Sequence, residues 1–280
     1  MKKFCITLLF TVFIFQNLFA SDVENYLNEI LAPGNVPNPE SYIKSYLQPL
    51  STALSTTMGG ALYHRAYTKG FPRVDVGISM VYVILPDASK KFTDSMGNKV
   101  PTLFGSGGSN IDGVDKNAFV MPFLHANIGL IANLEATIRL TSINTDYLGD
   151  LSIFGAGLKY DLSDMMPVPL LDLSAQAMYH KFTLGDLMNA GTFSMNLQAS
   201  VSIPVLPIDV YGGIGYDNST LEVSTDDLDN SGGIGNVRID GENSVHFNLG
   251  ISYTMLIFNL HADYNIGEYN SIGAGVMLVL

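Results

Sequence analysis

The chain has 280 residues, of which 47% are apolar and only 14% charged, and its formal net charge is −12. That acidity excludes nucleic acid and anionic lipid headgroups as natural partners. Beyond the first twenty residues no apolar run approaches the ~20 residues that a membrane helix needs, so a chain this apolar has to hide its hydrophobicity by alternation along strands.

Residues 1–20 read as a secretory signal peptide. Lys2 and Lys3 supply the positive start, Phe4 to Phe15 the apolar stretch, and Leu18-Phe19-Ala20 a cleavage site before Ser21. Loss of the two lysines takes the formal charge from −12 to −14. The sole cysteine, Cys5, precedes most of the apolar run, so neither a lipid anchor nor a disulfide framework is expected in the mature chain.

Residues 21–58 read as two short amphipathic helices, parted by Pro33-Gly34 and Pro37. Asn38-Pro39 opens the second, whose apolar face carries Tyr42, Ile43, Tyr46, Leu47, Leu50 and Leu54, and Pro49 predicts a kink or a split. Such a segment either plugs a barrel lumen or lies as a lid at the periplasmic mouth; a plain export linker is the alternative. Tyr42, Tyr46, Leu47, Leu50 and Leu54 are the expected docking face.

Residues 59–280 read as strands. Gly59 to Thr68 has mixed faces and is at most a weak strand, whereas Arg73 to Leu85 puts Val74, Val76, Ile78, Met80, Tyr82 and Ile84 on one face. Further strands are expected at 123–132, 134–142, 150–161, 170–182, 193–203 and 207–216. The last forty residues add three more: 245–255, 256–266 and 272–280. There the faces opposite the apolar ones carry Asn, His, Ser, Gly and Thr and no Lys or Arg. A soluble sandwich would place charge there, whereas a membrane barrel turns its apolar face to lipid and its polar face to the lumen. The expected fold is therefore all-β: an antiparallel transmembrane β-barrel of about ten strands (eight to twelve) after short N-terminal helices. Long segments 86–120 and 217–241 fall on one side, the outer one, and tight turns at Asn133, Val205-Leu206 and Leu256 on the other.

Three stretches carry a family resemblance. They are His261-Ala262-Asp263-Tyr264 with Glu268-Tyr269-Asn270, Tyr211-Gly212-Gly213-Ile214-Gly215-Tyr216, and Gly157-Leu158-Lys159-Tyr160-Asp161 through Pro169 to Asp172-Leu173-Ser174. From about Leu47 to Leu280 the sequence resembles a family of uncharacterised bacterial outer-membrane barrels known only as a domain of unknown function. Its plan, helices and then barrel, is more distantly similar to fatty-acid-transporter-like barrels. The resemblance implies an outer-membrane location, lipid as surroundings and insertion by the barrel assembly machinery, and brings no catalytic residues.

Several polar residues fall on the lumen face: Glu135 and Arg139, then His125, His180, His246 and His261, with Asp172, Asp209 and Asp263. A Glu135–Arg139 ion pair is reasonable there only if the lumen is wet or the two neutralise each other. No two histidines share metal-motif spacing, so hydrogen-bonded lumen residues are expected rather than a metal site. His261-x-Asp263 resembles part of a barrel protease site, but its mid-barrel position argues against catalysis, and no enzymatic activity and no cofactor are expected. Asp227, Asp229 and Ser231 open like a calcium loop, yet Arg238 stands where its bidentate Glu belongs. Gly213, Gly215, Gly250, Gly273 and Gly275 leave lumen space either for a narrow path or for the plug. The function expected is passive transport of a small solute, hydrophobic or not, gated by the helices; the alternative is a non-conducting barrel presenting its outer loops.

Overall fold

The computed structural model describes residues 20–280 apart from 109–110, 146–148, 166–167, 227, 229–233 and 243, and the side chains of 20–22 and 144–150 also lie outside that description. Ten antiparallel strands close on themselves. They are β1 (Val74–Ile84), β4 (Ala118–Gly129), β5 (Leu134–Thr145), β6 (Gly149–Asp161), β7 (Leu171–Leu184), β8 (Met188–Ser202), β9 (Ile208–Val223), β11 (Val245–Met255), β12 (Phe258–Ile266) and β13 (Ser271–Val279). Pairing of β1 with β13, for instance Val76 with Leu278, and of β8 with β9 closes the ring, so that each of these ten strands has a partner on both sides. Short β2 (Lys91–Thr93) and β3 (Lys99–Pro101) form a hairpin inside the first long segment, and β10 (Val237–Asp240) lengthens the sheet beside the end of β9. At the opposite mouth the connections are tight, and Asn133, Val205 and Leu256 take left-handed backbone with φ of 61°, 73° and 56°.

The barrel has two storeys, and its faces exchange character between them. On β8 the inward side chains run Ser200, Gln198, Asn196, Ser194 and Thr192, then turn apolar at Ala190 and Met188, while the outward ones run Val201, Leu197, Met195 and Phe193, then turn polar at Asn189. β9 repeats this. Outward Val210, Ile214 and Tyr216 give way to Asn218 and Glu222, and inward Asp217 and Ser219 give way to Leu221 and Val223. The lower storey follows lipid logic; the upper one, toward the long loops, has a soluble protein's dry core. On β8 and β9 this exchange goes with strands that outrun the sequence reading: residues 188–192, given no strand there, and 217–223, placed there in the outer loop, continue the sheet, and β4 likewise begins at Ala118 inside the other loop.

Two helices occupy the mouth that holds the long segments. α1 (Ala20–Leu31) packs Val23, Leu27, Ile30 and Leu31 into one apolar core with α2 (Pro39–Gly59), with Leu103, Phe104 and Ile111 of the first long segment, and with the upper lumen wall of Val81, Val83, Phe119, Met121, Phe182, Leu184, Met188, Leu221 and Val223. Asn38 caps α2, its Oδ1 accepting from Ser41 N at 3.2 Å. Of the two outcomes expected at Pro49, the split does not occur: the helix runs unbroken for 21 residues, and its second half is buried throughout. No described helix is long and apolar enough to cross a membrane.

Candidate functional site

The site is the lumen, and the chain's own N-terminal segment fills it. Tyr46, Leu47, Leu50 and Leu54 are buried in the upper core and Tyr42 is half-buried, its ring edge-on to Phe92 at 4.9 Å. Leu103 N donates to Tyr46 O at 3.0 Å, Tyr46 Oη to Asp112 O at 2.7 Å, and Ser51 Oγ to Ile239 O at 3.2 Å. The segment therefore docks between the long segments and the upper wall, inside the mouth opposite the tight turns rather than beneath the barrel. The reason is the apolar upper lumen: a purely polar lumen would not match this helix face.

Below α2 the chain descends as irregular backbone. Residues 60–66 are buried but form no strand, since a closed barrel offers no edge to pair with. Tyr63 Oη donates to Asn248, Ala66 N to Ser200 Oγ at 2.9 Å, and Thr68 N to Asp161 Oδ2 at 2.9 Å. Arg65 lies against Asp75 of β1 and reaches Glu135 Oε2 of β5 at 3.3 Å; Lys159 Nζ of β6 sits 2.6 Å from Glu135 Oε1, and Lys69 Nζ 3.4 Å from Asp75 Oδ1. His64 stacks on His261 with ring centroids 5.0 Å apart.

Of the nine lumen residues named from the sequence, eight are buried, Glu135, Arg139, His125, His180, His246, His261, Asp209 and Asp263, and Asp172 is half-buried. They do not form one constellation. Glu135 belongs to the Arg65–Asp75–Lys159 cluster and does not pair with Arg139, whose Nη1 donates to Met58 O at 3.1 Å and whose guanidinium lies 3.8 Å over the Phe123 ring. His246 Nδ1 is 3.1 Å from Asp217 Oδ2. His261 Nδ1 bonds with Asn259 Oδ1 at 3.2 Å, while Asp263 accepts from Tyr211 Oη at 3.1 Å and Asn265 Nδ2 at 2.6 Å, so His261 and Asp263 do not meet. Among the described residues no group of three or more His, Cys, Asp or Glu is placed to hold a metal ion; Asp227, Asp229 and Ser231 lie outside the described residues.

Sequence reasoning passed over Asp75, Lys159, His64 and Arg65. The first two carried a readable signal, a charge at the inward parity of a strand whose other parity is apolar. His64 and Arg65 carried none, because their placement depends on where irregular backbone runs. The lumen glycines hold neighbours rather than a path. A Cβ at Gly213 would lie 2.4 Å from Tyr63 Oη, at Gly215 2.2 Å from His246 Nε2, and at Gly275 2.4 Å from His261 Nε2.

Closed antiparallel strands, an outward apolar band and a polar, filled interior define a β-barrel of the outer-membrane type. Residues 1–280 match a family of unknown function, DUF6588, and the chain belongs to that family. No curated protein matches it. Among solved structures it is similar to Ail, the attachment invasion locus protein of Yersinia pestis, at 10% identity and TM-score 0.31 over 74% of this chain and 98% of that one. It is also similar to the outer membrane protease OmpT from Escherichia coli, at 9% identity and TM-score 0.34 over 74% and 96%, and to a Pseudomonas aeruginosa FadL homologue, at 9% identity and TM-score 0.25 over 82% and 97%.

Proposed function

We propose that this protein is exported, loses residues 1–20, is inserted in the outer membrane by the barrel assembly machinery, and works there as a closed barrel that presents its upper storey to the surroundings. The observation that carries this is the lumen, filled from end to end by residues 46–68 through an apolar core above and charged pairs below. A cleft of about 200 Å³ between Val36, Tyr42, Phe92 and Met96 opens on that storey and offers a contact surface. In planar bilayers the intact protein should carry no steady current, and the protein lacking residues 21–58 should conduct; steady current through the intact protein sinks the reading. For the orientation, a cysteine at exposed Ser95 should label in intact cells and one at exposed Val205 only after permeabilisation.

One observation favours gated passive transport as the second reading. Along the inner wall of β7 and β8, Ser174 Oγ, Ser194 Oγ, Asn196 Nδ2 and Gln198 Oε1 are buried without a partner among the described residues. A polar stripe of this kind is a natural course for water and a small polar solute if the segment shifts. It offers little to a hydrophobic solute.

A further inference from the structure

We infer that a small monovalent anion of chloride size binds in the middle of the lumen, between Arg139 and His180. The register sets His125, Arg139, Gly155, His180 and Thr192 side by side at one height on β4 to β8. Gly155 has no side chain, and the His180 ring takes its place: a Cβ there would stand 2.2 Å from His180 Cδ2. Arg139 and His180 thereby become neighbours across a single glycine.

The donors of this cluster are unused. Arg139 is fully buried; Nη1 is taken by the Met58 carbonyl, but Nε and Nη2 have no partner among the described residues. Both ring nitrogens of buried His180 are equally without one, as are the hydroxyls of Thr192, its register partner, and of Thr57, which precedes Met58. Asp263, a carboxylate whose field reaches Arg139, has its oxygens engaged by Tyr211 and Asn265. A guanidinium does not shed its proton to escape burial, and a buried charge left without compensation is strongly destabilising.

The donor set specifies the ligand. The polar groups left over around Arg139 are guanidinium N–H, imidazole and hydroxyl, with the fixed positive charge among them, which suits an anion and repels a cation. The Phe123 ring covers one face of the guanidinium, the His180 ring lies over Gly155 and the Met58 carbonyl takes Nη1, so the free donors are hemmed by neighbours, which suits a monatomic anion rather than phosphate. This goes beyond the closed-barrel reading and holds whether or not the lumen ever opens.

The test is thermal unfolding of the full-length barrel in detergent micelles, in sodium chloride or bromide against sodium gluconate at equal ionic strength. A ligand that binds only the folded state raises its stability by mass action, so the midpoint should climb saturably by several degrees with halide and not with gluconate. Arg139→Met, similar in length but uncharged, should lose that dependence, and His180→Leu should weaken it. Crystals soaked in bromide should show the anomalous scatterer between the two side chains. An equal response to gluconate, a halide response unchanged in the variants, or bromide bound only elsewhere overturns the inference. If Arg139→Met does not fold, the wild-type series, His180→Leu and the bromide position still decide it.

Discussion

Lys159 on β6 faces Glu135 on β5 across a single register pair, with Nζ 2.6 Å from Oε1 and both side chains enclosed. The second carboxylate oxygen turns to Arg65, so one acid ties two strands of the wall to the segment inside the barrel. Removing one partner of a buried ion pair leaves an uncompensated charge and costs about 3 to 5 kcal/mol. Glu135→Gln leaves Lys159 without a carboxylate and takes from Arg65 one of its two, Asp75 remaining, and should reach that range. Lys159→Met should cost less, since Arg65 still answers Glu135, and the double variant should cost less than the sum. Urea unfolding in lipid vesicles measures all three; additive losses below ~1 kcal/mol each would mean the cluster is solvated and holds nothing.

Leu197 and Gln198 are adjacent on β8 and face opposite media, Leu197 half-exposed on the apolar band and Gln198 buried, its Nε2 donating to Gln176 Oε1 at 3.1 Å. Leu197→Arg should cost ~2 to 4 kcal/mol near the bilayer midplane, yet leave folding in detergent almost untouched. Gln198→Arg overpacks a full lumen and should impair folding in both, by about 1 to 3 kcal/mol or more. Matching losses in bilayer and detergent for Leu197→Arg would show that this face does not meet lipid.

The alternation was legible where lipid logic holds throughout, as along β11 to β13, and its limit lay where the faces exchange. Phe119 and Met121 point inward although Leu124, Ala126 and Ile128 on the same strand point outward, and a reading tuned to one polarity stops at the switch. The same switch hides the match between the α2 face and its receptor, because Leu103, Phe104, Phe119, Leu221 and Val223 of that receptor fall in the segments read as loops. Ion pairs were the other blind spot. Glu135 and Arg139 share a strand face but stand roughly 13 Å apart along it, too far to bond; the true partner of Glu135 lies on the next strand, and its identity depends on a register that no single strand encodes. The turns at Asn133, Val205 and Leu256 needed no register and were read from short connections between clear alternations.

Asp94 offers a local pH dependence outside the membrane. In the β2–β3 turn its Oδ1 accepts from Asn98 N at 2.8 Å and Met96 N at 2.9 Å, and its Oδ2 from Asn98 Nδ2 at 3.2 Å. These bonds, the backbone bond from Asn98 foremost, hold the carboxyl below its usual range. A lowered folded value means that the turn's stabilisation is complete above the unfolded value, about 4, and is lost as pH falls through the folded one. Amide exchange at 96–98, corrected for its intrinsic rate, should therefore rise below pH ~4, and Asp94→Ala should bring it to a high, pH-independent level. A wild-type turn that stays equally protected in acid would show that the carboxylate contributes nothing.

Leu47 and Leu50 decide whether the N-terminal segment is a fixed part of the barrel. Both are buried in the upper core, Leu47 completely and Leu50 nearly so, in one apolar cluster with the upper wall. Truncating a buried Leu costs about 2 to 5 kcal/mol, and a serine adds a hydroxyl in need of a partner. The barrel wall is closed by its own hydrogen bonds and does not depend on these contacts, so Leu47→Ser/Leu50→Ser should still yield a barrel that runs as folded on a gel. What should change is the segment: amide exchange across 23–58 should accelerate by orders of magnitude while the strands stay protected, and current should appear in planar bilayers as the lumen empties. Exchange in the wild type as fast as in an unstructured peptide would show that the segment never docks. Fast exchange in the variant without any current would show instead that residues 59–68 and their charged pairs close the lumen by themselves.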